Sequence, residues 1–296
     1  MEVAEQKNKI TMVSGAGALA ITNEKCTANN VHWTYDFYGI SNGAGKAVVN
    51  QGKKNWYFIT ADYKFGADLE KYTTASINAN NGKVLSTTKT VLNTSDFSSY
   101  LLKAKNSGAD VVALATAGQD TINAIKQASA PANGINKTKQ TIFPLLMFIS
   151  DVHSLGLDIA QELYVVESFY WDRDNKTRAW SNKFMKIYKK MPTSIQAGIY
   201  SSVLAYLNAV QKAGTDDTQA VMKALKSTNI NDGLFTGKIR ADGKFVHDMY
   251  LYQVKKPSES RHLWDYYKPL AVISATDATL PLSQSNCKLV KKSINK

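Results

Sequence analysis

The chain has 296 residues, 44% of them hydrophobic, which is enough for one large packed domain or two of ordinary size. The formal net charge is +12, but no arginine-rich segment or zinc-ligand spacing accompanies it, which disfavours nucleic-acid binding. The clearest basic cluster is the carboxy-terminal set Lys288, Lys291, Lys292 and Lys296. No run of about 18 apolar residues predicts a membrane span, and MEVAEQKNK at the amino terminus lacks the apolar core of a signal peptide.

The first predicted strand, Lys9–Val13, runs directly into a loop of small residues. The loop begins with Ser14, Gly15, Ala16 and Gly17, and from Gly15 it matches G-x-G-x-x-A, with Asp36 at about the distance expected of a ribose-binding carboxylate. The pattern therefore permits a dinucleotide site. Against it, polar residues interrupt the expected helix within two turns, and a small-residue loop equally suits any ligand that needs free backbone N–H groups.

The next unit, Asn55–Lys71, has the sequence NWYFITADYKFGADLEK and shows a strand, a loop and a helix in succession. Trp56–Thr60 is a short apolar run typical of a strand buried on both faces. Apolar positions at helical spacing begin after Ala67. Because ligands of open α/β sheets bind beyond the carboxyl ends of the strands, the exit loop is a candidate ligand contact: Asp62, Tyr63, Lys64, Phe65.

The same rhythm continues along the chain. Further strands are predicted at Lys83–Leu92, Ala109–Ala115, Thr141–Phe148 and Leu163–Ser168, and further helices at Gly43–Gly52, after Thr94 or Ser95, at Thr121–Ala130, at Thr177–Lys190, after Thr193 or Ser194 and at Asp216–Lys226. We also predict a polar connection over 131–139, a hairpin of Phe235–Arg240 with Met249–Val254 that turns at Asp242-Gly243, and an irregular final forty residues. The alternation predicts an α/β fold with mostly parallel strands, arranged as two lobes.

Residues that carry chemistry are scarce. The four histidines, His32, His153, His247 and His262, are scattered, and no hydrolase, metalloprotease or phosphate-loop motif is present. Carboxylates stand at four strand exits, where they cap helices or hold a ligand's amine or hydroxyl: Asp36, Asp62, Asp120, Asp151. Aromatic and small residues at strand exits indicate binding without turnover, so we expect no enzyme activity, no metal and no cofactor.

Several segments resemble one family: SGAGALAITNEKC, HWTYD, FITADYKFGADLE, DFSSYLLKAKNSGADVVALATAG and QAGIYSSVLAYLNAV. They are similar to the type I periplasmic solute-binding proteins of ABC transporters, in the branch of the leucine/isoleucine/valine-binding proteins. FYWD, IRADGKFVHDMYLYQVKKPSES and WDYYK resemble more narrowly a subgroup that includes binders of aromatic and other small carboxylates. The resemblance covers nearly the whole chain.

The resemblance implies two Rossmann-like lobes that close on a ligand about three crossover segments. We expect a partial first lobe at 1–119, a second lobe at 120–247, and a segment at 248–296 that returns to the first lobe. The implied ligand contacts are the loop Ser14, Gly15, Ala16 and Gly17, the exit residues Tyr63 and Phe65, and, for the second lobe, Gln119, Phe148 and Asp151.

The resemblance also implies location and partners. We expect a periplasmic monomer that delivers an amino acid, amide or aromatic carboxylate to an ABC permease, with no nucleic-acid partner. The returning tail predicts a disulfide between Cys26 and Cys287, which are otherwise two free thiols. Family members begin with a signal peptide and an opening strand–helix pair, so this chain is expected to be truncated at its amino terminus.

Two other classes of protein remain open from the residues. One is an NAD-dependent oxidoreductase that uses the Gly15-Ala16-Gly17 loop. The other is the ligand-sensing domain of a receptor, since a fold alone does not fix a function.

Overall fold

The computed structural model describes residues 1–130, 135 and 140–290. The predicted connection 131–139 lies outside the described residues except for Ile135, and so do the tail lysines Lys291, Lys292 and Lys296.

The strands of the described chain are β1 (Thr11–Val13), β2 (Asn30–His32), β3 (Asn55–Ala61), β4 (Lys83–Thr90), β5 (Val111–Ala115), β6 (Thr141–Pro144), β7 (Tyr164–Glu167), β8 (Asn229–Asn231), β9 (Thr236–Ile239), β10 (Phe245–His247), β11 (Met249–Val254) and β12 (Tyr267–Ile273). The α-helices are α1 (Glu2–Gln6), α2 (Phe37–Asn50), α3 (Lys64–Ala79), α4 (Ser98–Asn106), α5 (Gly118–Ser129), α6 (Ile149–Leu155), α7 (Leu157–Ala160), α8 (Asn175–Tyr188), α9 (Ser194–Ala213) and α10 (Thr218–Ser227). Strands and helices alternate through the first two thirds, as the sequence predicts.

The chain divides into two units that each contain separated stretches of sequence. The first unit comprises Met1–Gly39, Ser168–Met249 and Ser274–Lys296, and the second unit comprises Ile40–Glu167 and Tyr250–Ile273. These boundaries differ from the expected 1–119, 120–247 and 248–296. The chain passes between the units four times, and the last two passages enclose β11 and β12, which pair into the sheet of β7.

The second unit is built on a four-stranded parallel sheet in the order β4-β3-β5-β6. Residues 56–61 of β3 and all of β5 are buried, which is why they form continuous apolar runs rather than alternating ones. Pro144 ends the edge strand β6, where a missing N–H is tolerated. A second sheet, in the order β12-β11-β7, belongs largely to the same unit.

The first unit holds the parallel pair β1-β2 and an antiparallel sheet in the order β10-β9-β8. Its helices α8 and α9 begin at capping side chains: Asp174 accepts from the N–H groups of Lys176 and Thr177, and Thr193 accepts from Gln196. The structure joins Cys26 to Cys287 as a disulfide. Both cysteines are buried with Val290 in a small apolar cluster, so the tail is attached to the unit that contains β1.

Three predicted elements are wrong. Helix α2 begins at Phe37 rather than Gly43, because the Asp36 carboxylate accepts the Gly39 N–H at 2.7 Å and starts the helix within the aromatic run. The turn at Asp242-Gly243 is confirmed, but it joins β9 to β10, whereas β11 pairs with β7. Within the final forty residues, β12 is a regular edge strand that tolerates Pro269 in its sequence.

Candidate functional site

In the first unit, the loop after β1 carries the predicted residues Ser14, Gly15, Ala16 and Gly17. Ser14 is 7% exposed, and its hydroxyl has no hydrogen-bond partner among the residues that the structure describes. Gly15 and Ala16 are exposed at the surface of this unit. A buried hydroxyl without a partner is uncommon, so the Ser14 hydroxyl is a candidate for a hydrogen bond with a ligand.

Gly17 is required by close packing. A Cβ atom at this position would lie 2.4 Å from a ring carbon of Phe37 and 3.0 Å from the ring of Tyr35. Both aromatic residues belong to the segment HWTYDF that follows β2. The glycine of the sequence pattern therefore brings the loop against this aromatic segment.

The loop carbonyls are held by donors of the same segment. The hydroxyl of Tyr35 donates to the carbonyl of Gly15 at 3.1 Å, and the Nε2 atom of His32 lies 2.6 Å from the carbonyl oxygen of Ala16. The N–H of Phe37 donates to the carbonyl of Gly17 at 2.8 Å. These contacts fix the loop from one side.

A buried ion pair lies beside this segment. The ammonium group of Lys244 is 3.0 Å from the Asp36 carboxylate, and the two side chains are 5% and 1% exposed. Burial alone raises the pKa of Asp36, but the charge of Lys244 and the Gly39 N–H outweigh it and hold this pKa below its ordinary value. Asp36 thus has structural partners, Lys244 and the Gly39 N–H, which disfavours the ribose-binding role that the dinucleotide alternative requires.

His32 is buried next to the same ion pair. Burial, reinforced by the positive charge of Lys244, lowers the pKa of His32 from 6.5 to about 4. The imidazole is therefore neutral at physiological pH. The ion pair with Lys244 was not predicted, because Lys244 lies about two hundred residues after Asp36 and no local pattern links them. The contact of His32 with Ala16, 16 residues earlier, was also missed, because it joins two neighbouring strands' ends and follows no helical or strand periodicity.

In the second unit, the remaining predicted residues lie at the carboxyl ends of three adjacent parallel strands. Tyr63 and Phe65 follow β3, Gln119 follows β5, and Phe148 and Asp151 follow β6. The sheet order brings these exits to one edge of the sheet, where open α/β proteins bind ligands.

The two aromatic residues form one contact. The rings of Tyr63 and Phe65 are stacked with centroids 5.5 Å apart and planes 17° from parallel. Tyr63 is 40% exposed, and partial burial together with the carboxylate of Asp120 raises its pKa. The pair thus presents a half-exposed apolar surface at the end of β3.

The exit carboxylates have identifiable partners. Asp62 forms an exposed ion pair with Lys89 at 3.4 Å, and Asp120 accepts the N–H of Asn93 at 3.1 Å. Asp151 accepts the N–H of Phe148 at 2.9 Å, and burial raises its pKa. Asp151 closes the first turn of α6, as the helix-capping interpretation predicted, whereas Asp120 holds the loop that follows β4.

The structure groups the predicted residues differently from the expectation. Tyr63 and Phe65 were assigned to the first lobe, and Gln119, Phe148 and Asp151 to the second. All five belong to one unit, and only Ser14–Gly17 belong to the other. The predicted ligand set itself stays a prediction.

Two cavities of the described chain lie elsewhere. One, of about 380 Å³, is lined by α9, α10 and β8, and the other, of about 480 Å³, lies between α8 and α9. Both belong to the first unit, and neither is lined by a predicted ligand contact. Within the described residues, no group of three or more potential metal ligands is gathered, and no helix is long and apolar enough to cross a membrane.

Comparison with known proteins identifies the family. A family model described as periplasmic binding protein matches residues 1–260. The solved structure of a periplasmic binding protein from Burkholderia mallei is 49% identical with a TM-score of 0.91, and the match covers 97% of this chain and 76% of that chain. None of the curated proteins compared with this chain matches it.

Two further solved structures are similar. A branched chain amino acid ABC transporter periplasmic ligand-binding protein from Burkholderia xenovorans LB400 is 33% identical with a TM-score of 0.92, over 98% of this chain and 77% of that chain. A solute binding protein from R. palustris, in complex with benzoate, shares the fold at 20% identity, with a TM-score of 0.82 over 97% and 76% of the two chains.

The α/β architecture and these matches define a solute-binding protein of the two-unit type. The chain belongs to the periplasmic binding protein family, and the resemblance drawn from its sequence is confirmed.

Proposed function

We propose that this protein binds a small solute outside the cytoplasm and delivers it unchanged to an ABC permease. The solute is an amino acid, an amide or an aromatic carboxylate. The observation that carries the proposal is the Ser14 hydroxyl, which is buried yet has no partner within the described part of the chain. Two of the similar structures, a branched chain amino acid ABC transporter ligand-binding protein and a solute binding protein in complex with benzoate, support this range of ligands.

The loop Ser14–Gly17 suits a carboxylate. A serine hydroxyl is a donor, and among the described residues no acceptor takes the N–H groups of Ala16 and Gly17. Successive free backbone N–H groups form an anion-binding concavity. We assign the carboxylate of the solute to this loop, and apolar contacts with the solute to Tyr63 and Phe65, with Gln119, Phe148 and Asp151 as further contacts.

A pair of serine variants tests the proposal. Isothermal titration of the unmodified protein with leucine, benzoate and 4-hydroxybenzoate identifies a ligand, and Ser14→Ala is expected to weaken its binding roughly tenfold. Ser181→Ala is the matched control, because Ser181 is also buried in the first unit with an unpartnered hydroxyl in the described structure. Equal affinities in the two variants would remove Ser14 from the site.

We also propose that the protein does not alter the bound solute chemically. Neither unit shows an activated nucleophile among its described residues, and the family is one of solute-binding proteins. Mass spectrometry of a ligand incubated with the protein should recover it intact. A changed product would contradict the transport role.

A further inference from the structure

Four carbonyl groups around the candidate loop are held by donors from one segment, His32–Phe37. The bonds are Trp33 N–H to Val13 at 2.7 Å, Tyr35 hydroxyl to Gly15 at 3.1 Å, His32 Nε2 to Ala16 at 2.6 Å and Phe37 N–H to Gly17 at 2.8 Å. Two of the four donors are side chains, so they are determined by the sequence and not by the backbone alone.

Peptide geometry transmits these bonds to the other side of the loop. The described chain has no cis peptide bond, and in a trans peptide the C=O of one residue and the N–H of the next point in opposite directions. A Gly15 carbonyl that faces Tyr35 turns the Ala16 N–H away from Tyr35. An Ala16 carbonyl that faces His32 likewise turns the Gly17 N–H away from His32.

The protonation of His32 is also set. A carbonyl oxygen only accepts, so the Nε2 atom that lies 2.6 Å from Ala16 must carry the hydrogen. The Nδ1 atom is buried and has no partner in the part of the chain that the structure describes. His32 is therefore a neutral Nε2–H donor, consistent with its lowered pKa.

We propose that His32 and Tyr35 are positioning residues for carboxylate recognition: they hold the carbonyls of Gly15 and Ala16 so that the N–H groups of Ala16 and Gly17 are presented to the ligand. Neither side chain is assigned to touch the solute. This inference rests on the proposed function, and it extends that function from the loop to the residues that orient the loop before any ligand arrives.

The first test needs no ligand. Nitrogen-15 NMR of the free protein should show His32 as the Nε2–H tautomer, and Tyr35→Phe should shift the amide resonances of Ala16 and Gly17 and change their hydrogen exchange. Tyr200→Phe, a change of the same group on α9 in the same unit, should leave both amides as in the unmodified protein. An Nδ1–H tautomer, or amides that do not respond to Tyr35→Phe, would overturn the inference.

The second test compares benzoate with benzamide, which differ in the charged carboxylate. We expect Tyr35→Phe and His32→Leu each to weaken benzoate binding roughly tenfold and benzamide binding by roughly threefold or less. His32→Gln keeps an N–H donor and should recover most of the affinity lost in His32→Leu. Equal losses for both probes, or no recovery in His32→Gln, would overturn the positioning role.

The two tests separate the inference from the proposed function. If the amides of Ala16 and Gly17 respond as expected but the unmodified protein binds neither benzoate nor leucine, the orientation of the loop is supported and the proposed ligand class fails. Because Tyr35→Phe removes only one hydroxyl, it keeps the tests decisive even if His32→Leu fails to fold.

Discussion

Substitution of Gly66 by alanine tests how the motif Asp62-Tyr63-Lys64-Phe65-Gly66 works. Gly66 is the third residue of α3 and is buried. A Cβ atom there would lie 2.2 Å from the carbonyl oxygen of Ala61, 2.9 Å from the Ala61 nitrogen and 3.0 Å from the carbonyl oxygen of Ala115. All three are backbone atoms of β3 and β5, so no side-chain rotation relieves the overlap.

The magnitude follows from these distances. An ordinary carbon–oxygen contact is about 3.3 Å, so α3 must move by about 1 Å from the ends of two central strands. Overpacking of this kind costs about 1–3 kcal/mol, and the rigid backbone on both sides favours the upper end. The higher helix propensity of alanine offsets about 1 kcal/mol of this destabilisation. We expect Gly66→Ala to lower the free energy of unfolding by about 2 kcal/mol.

Urea unfolding followed by circular dichroism measures the change. Ala67→Gly, at the next and exposed helical position, calibrates the propensity effect in the same turn and should cost about 1 kcal/mol or less. A Gly66→Ala protein as stable as the unmodified one would refute the argument that the motif glycine exists for close packing.

Three further predictions follow from the same structure. Phe65→Ala should weaken ligand binding by about 1–3 kcal/mol without changing the fold. The control Tyr188→Ala alters an exposed aromatic residue of α8 and should leave the affinity measured by titration calorimetry unchanged. Unaltered binding in Phe65→Ala would remove that residue from the site. Cys287→Ser should lower the free energy of unfolding by about 4–5 kcal/mol, because the disulfide closes a sequence separation of 261 residues. Thiol titration of the unmodified protein, denatured but not reduced and taken from an oxidising compartment, should find no free thiol, and two free thiols would contradict the pairing. His32 is faced by Asp36, Lys244 and His247, and its lowered pKa means that, as the pH falls, His32 takes up a proton in the unfolded chain before it does so in the folded chain. Its contribution to the free energy of unfolding is therefore complete above pH 6.5 and decreases by about 3 kcal/mol as the pH falls to about 4. Urea unfolding across this range should show a shallower dependence of stability on pH in His32→Gln, and an identical dependence would contradict the assignment.

Local patterns determined the elements that position the candidate site. The apolar runs of β3 and β5 predicted buried strands because a strand covered on both faces has no polar side. The small-residue loop and the exit loop after β3 were predicted as ligand contacts, and the structure adds that Gly17 and Gly66 each lie where a Cβ atom would overlap a neighbour. The apolar run of a buried strand is a local pattern and is visible in the sequence, whereas the neighbours that Gly17 and Gly66 pack against include other segments.

Only the tertiary structure decided which distant segments meet. Strand β12 is regular because β11 lies beside it, although its own sequence contains Pro269 and suggests irregular chain. The sequence pattern allowed a ligand role for Asp36, but in the structure its carboxylate lies 3.0 Å from the ammonium group of Lys244. His32 is a neutral donor because it is buried, and no residue next to it in the sequence indicates that burial. The free energy of a buried charge or of an edge strand depends on partners that are distant in the sequence, and hydrophobic periodicity does not predict which partners these are.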